Sequence, residues 1–118
     1  MKVKYKIIEL SRGFVAIIDA EDFRRVNKYS WHIHQAKGRK KKHPDPYARA
    51  TINNKKIYLH RFIMNAPEHL HVDHKNHQTL DCRKENLELI TAEENYNRRR
   101  YVLAAKKRLL KEKLKESC

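Results

Sequence analysis

Two short alternating stretches joined by a polar loop constrain this chain more than any other feature in it. His69-Leu70-His71-Val72-Asp73 and Asn86-Leu87-Glu88-Leu89-Ile90 each alternate with the two-residue period of a half-buried strand. Directly after the second, Thr91 is followed three residues later by Glu94, the spacing of a capping box, so a helix is expected to open there. Strand, loop, strand and helix in that order let the end of the first strand, Asp73-His74, converge on the first turn of the helix, where Asn95 lies.

Asn86-Leu87 begins thirteen positions after Asp73, and Asn95 follows Asp73 by twenty-two. In these residues and intervals the stretch resembles the HNH endonucleases, and among them the small phage and intron-encoded homing endonucleases with a ββα-metal site. The resemblance also takes in Leu59-His60-Arg61-Phe62-Ile63-Met64-Asn65-Ala66-Pro67; it is strong over roughly the middle third of the chain and weak over the first 58 residues. It implies that Asp73 and Asn95 hold a divalent metal, Mg2+ first and Mn2+ second, that His74 activates water, and that Asn86 braces the loop. It also implies a phage or mobile-element origin. Two positions depart from the pattern. His77 stands where the family usually has Gly, and Cys82 where it often has Asn. Gly admits positive φ easily and His less so, so the loop is expected to be shaped differently here.

The residue types suit that chemistry. Cutting a phosphodiester needs an activated water and a way to stabilise charge on the phosphorane and the leaving oxygen; a bound divalent cation supplies the second. Imidazole titrates near neutrality and suits a general base. Asp73 and Asn95 offer one charged and one neutral oxygen, which with phosphate oxygens and waters make an octahedral site for Mg2+.

Composition points to the same partner. The formal charge of +14 over 118 residues is a nucleic-acid footprint, and the resemblance implies double-stranded DNA as the partner. A membrane surface would also attract such charge, but no run of about 18 apolar residues is present to span one. The start, Met1-Lys2-Val3-Lys4-Tyr5-Lys6, lacks the apolar centre of a signal peptide, so the protein is expected to be cytoplasmic. Cys82 and Cys118 make no disulfide framework and are expected to be free thiols; without paired Cys-x-x-Cys knuckles, a four-cysteine zinc site is excluded.

Along the chain, Lys4 to Leu10 and Phe14 to Ile18 read as strands about a Ser11-Arg12-Gly13 turn. Asp19 is placed to cap a short helix through Val26. Tyr29 to His34 reads as a third strand, with Tyr29 and Trp31 as core aromatics. Lys37, Arg39, Lys40, Lys41 and Lys42 crowd a loop that Pro44 and Pro46 keep irregular. Tyr47 to Ile52 and Lys55 to Leu59 flank Asn53-Asn54, a two-residue hairpin turn. His60 to Met64 reads as a short helix before Pro67. The helix from Thr91 is expected to run to about Lys115; its end carries Leu109, Leu110 and Leu114, available to pack on the body. The fold class is α+β: an N-terminal antiparallel sheet with short helices, a central ββα-metal motif and a long basic C-terminal helix. The expected divisions are a docking region over 1–58, the nuclease motif over 59–100 and a basic arm over 101–118.

Phosphate contacts are expected from Lys37, Arg39, Lys40, Lys41 and Lys42 in the basic loop, from His60 and Arg61 beside the motif, and from Arg98, Arg99 and Arg100 on the helix. The sheet with its basic loop is an available docking surface for DNA. Two other readings compete with cleavage. One is a DNA-binding module whose ββα unit does not cut. The other is a zinc-stabilised interaction domain, suggested by His69, His71, His74 and His77 lying within nine residues. Against zinc, His69 and His71 share a strand face while His74 points away from it. His71 is then a strand-face residue near the site.

Overall fold

The computed structural model of the chain describes residues 3–35 and 45–116. The basic loop residues Lys37, Arg39, Lys40, Lys41 and Lys42 lie outside the described residues, as does Cys118. The architecture is α+β, with several small sheets, short helices and a long C-terminal helix.

The first hairpin pairs β1 (Tyr5–Glu9) with β2 (Val15–Asp19), Ile7 opposite Ile17. Its turn puts Arg12 and Gly13 in the left-handed region, at φ 61° and 76°. A 3-10 turn, Ala20–Asp22, leads into the single-turn helix α1 (Phe23–Val26). Asp19 does not cap this helix as expected; its Oδ2 instead accepts the backbone N–H of Lys84 at 3.1 Å, tying the first hairpin to the segment before the motif's second strand.

A second sheet has the order β3-β4-β5, from β3 (His32–His34), β4 (Tyr47–Ile52) and β5 (Lys55–Tyr58). The strand expected from Tyr29 shortens to three residues. The N–H of Tyr29 closes a turn onto the Val26 carbonyl, and Trp31 drops into the core with its indole N–H on that same carbonyl. Asn53 and Asn54 both take positive φ, 50° and 64°, as the hairpin turn between β4 and β5 requires.

The motif region follows. Helix α2 (Leu59–Met64) ends at Asn65, which takes the left-handed closing conformation at φ 47°. Strand β6 (Leu70–His74) pairs antiparallel with β7 (Leu87–Thr91), and helix α3 (Ala92–Glu116) continues from β7. Thr91 caps α3: its Oγ1 accepts the N–H of Glu94 at 3.1 Å.

Consecutive residues leave a strand on opposite faces. His74 contacts His60 of α2, while Asp73 pairs with Arg98 of α3. The β6–β7 hairpin is therefore held between two helices, α2 on the His74 face and α3 on the Asp73 face. This explains a departure from simple alternation in β7. Leu87, opposite His74, is buried in the main core; Ile90, which shares a face with Asp73, is also buried, though outside that cluster. Leu89, opposite Val72 at the middle of the hairpin, is exposed.

One hydrophobic cluster joins these pieces. It draws Ile8, Ala16 and Ile18 from the first hairpin, Val26 and Trp31 from the next segment, Ala48 and Ala50 from β4, Leu59 and Ile63 from α2, and Cys82 and Leu87 from the motif. Each fully buried aliphatic side chain here, Ile18, Leu59 and Ile63 among them, contributes about 1.5–3 kcal/mol. Arg25 adds a polar tie: paired with Asp22, it donates to the carbonyls of Phe62 and Ile63 at 2.9 and 2.6 Å and so closes the C-terminal end of α2. By contrast with the core residues, Leu109, Leu110 and Leu114 are exposed along α3. Among the described residues no helix is long and apolar enough to cross a membrane.

Candidate functional site

The loop between β6 and β7 is built around Asn86. Its side chain is buried. Oδ1 accepts the backbone N–H of Asn76 at 2.9 Å, and Nδ2 donates to the Asp81 carbonyl at 2.9 Å. Its own carbonyl accepts the N–H of Lys75 at 2.8 Å. One residue thus pins both limbs of the loop. Asp81 reinforces it, accepting from the Asn76 side chain at 2.8 Å and from the Arg83 guanidinium at 2.7 Å, and Arg83 holds the Asp81 carboxyl below the usual carboxylate range. The outer side of the loop is fastened to β2, where the N–H of Ile17 donates to Leu80 and the Ile17 carbonyl accepts from Cys82. Burial pushes the Cys82 thiol up to about 12, so it behaves as a small core side chain rather than a nucleophile.

His77 adopts φ 63° despite carrying a side chain. The residue expected to admit positive φ less easily than Gly does adopt it here. The many bonds made by Asn86, Asn76 and Asp81 over-determine the turn and hold His77 in it.

His74 ends β6 at only 6% exposure. Its ring lies 5.0 Å from that of His60 and 6.1 Å from that of Tyr47, and its Nε2 is buried with no hydrogen-bond partner among the described residues. Burial holds it below the ordinary imidazole value, against the opposing pull of the Asp73 and Asp81 carboxylates. His60 is pushed further, to about 3, by burial first and then by His74 and Arg61. It is a neutral ring at physiological pH, stacked among Tyr47, Tyr58 and His74.

Asp73, partly exposed, faces the other way. Its Oδ2 accepts from Arg98 at 3.0 Å, and Arg98 also reaches Glu88 at 3.2 Å. Asn95 lies three residues before Arg98, in the first turns of α3 and on the same side of the helix. The Tyr47 ring lies against those of His74 and His60, and burial first, then the Asp45 charge, pushes its half-buried hydroxyl up.

The remaining expected contacts are placed as follows. The Arg61 guanidinium donates to the carbonyls of Leu70 and Pro67 at 2.7 and 2.9 Å, holding the connection from α2 into β6. Arg100 lies over the Tyr96 ring at 5.8 Å. His69, His71 and His77 are exposed while His74 is buried. Among the described residues, the group of three or more acidic, His or Cys ligand atoms close enough to share an ion is Asp19, Glu21 and Asp22, away from the histidine run. Lys84 already neutralises Glu21 and Asp22.

Sequence reasoning missed Tyr47 and Tyr58. Both lie in the hairpin about Asn53-Asn54, and nothing local shows that the Tyr47 ring turns towards His60 and His74 and the Tyr58 ring towards His60. It also missed the Asn76–Asp81–Arg83 bracing, although a dense run of polar residues between two strands is the place to look for it.

A buried imidazole and a partly exposed carboxylate at the end of one strand, a loop pinned by a buried Asn, and a helix returning to the strand pair define a compact hairpin-and-helix polar site. Residues 58–96, about a third of the chain, match the family model described as HNH endonuclease. The matched family is one of nucleases, whose members act on nucleic acid and use divalent metals. No curated protein and no solved structure matches the chain.

Proposed function

We propose that the protein is a metal-dependent endonuclease that hydrolyses phosphodiester bonds in double-stranded DNA, of the homing-endonuclease type. The observation that carries this reading is the HNH endonuclease match over residues 58–96, which contains Asp73, His74, Asn86 and Asn95 in one segment.

The structure offers donors that suit a cation. Asp73 presents a partly exposed carboxylate that already attracts a guanidinium, and Asn95 lies on the helix face above it. Asp73 and Asn95 would hold the metal, with Mg2+ the favoured ion and Mn2+ the second. When bound, it supplies charge stabilisation for the phosphorane and the leaving oxygen. His74 acts as general base. Held neutral by burial, it would take a proton from water as the water oxygen bonds to phosphorus and the bond to the leaving oxygen breaks, once the site opens its buried ring nitrogen to that water. Asn86 keeps the loop in register with β6 through its three hydrogen bonds.

DNA is held by the strongly positive chain, formal charge +14. Lys37, Arg39, Lys40, Lys41 and Lys42 of the basic loop and Arg98, Arg99 and Arg100 of α3 are the proposed backbone contacts. Arg61 and His60 serve first in holding α2 against β6. In this reading residues 1–58 dock the DNA, 59–100 cut it and 101–118 form a basic arm. The test is incubation of supercoiled plasmid with the protein in Mg2+ and in EDTA. Conversion to nicked or linear plasmid only in Mg2+ is expected. Plasmid that is bound but intact in Mg2+ would instead identify a DNA-binding module that does not cleave.

A further inference from the structure

Arg98 stands on the one carboxylate on which the proposed metal site depends. Its Nη1 donates to Asp73 Oδ2 at 3.0 Å and to Glu88 Oε2 at 3.2 Å. Asp73 and Glu88 are cross-strand partners in β6 and β7, so their carboxylates lie side by side on the face that α3 covers, and a single nitrogen bridges them. A guanidinium cannot shed its proton at any ordinary pH. It can leave Asp73 only by moving, and a divalent cation beside it would be repelled while it stays.

Resting on the reading of Asp73 as a metal ligand, we propose that Arg98 is a built-in competitor for the divalent cation, occupying Asp73 until the metal displaces it. Two features fit this role. The Arg98 side chain is 44% exposed and has room to swing. Glu88 gives the same nitrogen a second acceptor, so the guanidinium loses one of its two anionic partners on leaving Asp73 and stays beside the site. The pair's exposure keeps the competition weak enough for metal to win, since exposed ion pairs are worth little. Arg98 thus sets the metal concentration at which the site fills.

The test is titration of the full-length protein with Mn2+ alone, without DNA, at low salt, reading free Mn2+ by electron paramagnetic resonance. Arg98→Gln is expected to bind Mn2+ about three- to tenfold more tightly than wild type, from loss of the pair and of one nearby positive charge. Arg108→Gln removes the same charge from an exposed position further along α3 and is expected to stay within about twofold of wild type. Asp73→Asn is expected to lose the site. Unchanged or weaker Mn2+ binding by Arg98→Gln, with the site lost in Asp73→Asn, overturns the competitor role and leaves the metal site standing. Equal tightening by Arg108→Gln reduces the effect to overall charge and also overturns it. Full Mn2+ binding by Asp73→Asn overturns both the competitor role and the assignment of the metal to Asp73.

Discussion

Replacing His60 by Phe should make the protein markedly less sensitive to mild acid. In the folded protein burial among Tyr47, Tyr58 and His74 pushes the His60 imidazole down to about 3, against 6.5 for the free side chain. Below 6.5 the unfolded chain takes up a proton at this position and the folded chain does not. Stability from the neutral ring is therefore full above 6.5 and is lost steadily as pH falls towards about 3. The slope is about 1.4 kcal/mol per pH unit in that window. Between pH 7 and pH 5 the full effect is about 2 kcal/mol, and the partial exposure of His60 lowers the expected figure to about 1–2 kcal/mol. Phe keeps a ring in the aromatic cluster and cannot titrate. The assay is urea unfolding of wild type and His60→Phe at both pH values, with loss on acidification compared between them so that titrations elsewhere cancel. Equal losses in the two proteins would refute the account of His60 as a buried neutral ring.

Three further outcomes follow from the site. His77→Gly should stabilise the protein by about 0.5–1 kcal/mol in thermal unfolding, since Gly accepts the φ of 63° that His bears at a cost; a loss of stability would mean that the His77 side chain contributes more than its backbone strain costs. Asn86→Ala should cost about 2–4 kcal/mol in urea unfolding, because it removes two buried hydrogen bonds and strands the Asn76 N–H and the Asp81 carbonyl. Replacing Lys40, Lys41 and Lys42 together by Ala should weaken binding to all DNA sequences and flatten the slope of log affinity against log salt by up to about 3; an unchanged slope would move the docking face to α3 or to the β3-β4-β5 sheet.

The elements whose signals are local were readable from the amino acids. Asn53-Asn54 announced a hairpin because both residues tolerate positive φ, and both adopt it. Thr91 and Glu94 announced the start of α3, and the Thr91 hydroxyl does cap it. What was not readable depends on partners far along the chain. Asp19 had the chemistry of a helix cap, yet a backbone N–H 65 residues away claims its carboxylate. His60 looked like a surface helix residue, and only the packing of α2 on β6 shows that it lies against His74. The leucines near the end of α3 were available to pack on the body, yet Leu109, Leu110 and Leu114 are exposed along the helix. The loop at His77 misled in the opposite direction: a residue-level preference against positive φ was outweighed by the hydrogen bonds that Asn86 and Asp81 impose.

Single-turnover cleavage by His74→Ala, at protein concentrations that saturate the DNA and in Mg2+, tests the proposed chemistry most directly. With proton transfer removed and the basic surfaces untouched, the rate should fall by about 10²–10⁴ while DNA affinity, measured beside it, stays near wild type. Cleavage at the wild-type rate by a folded His74→Ala protein would show that His74 is not the base.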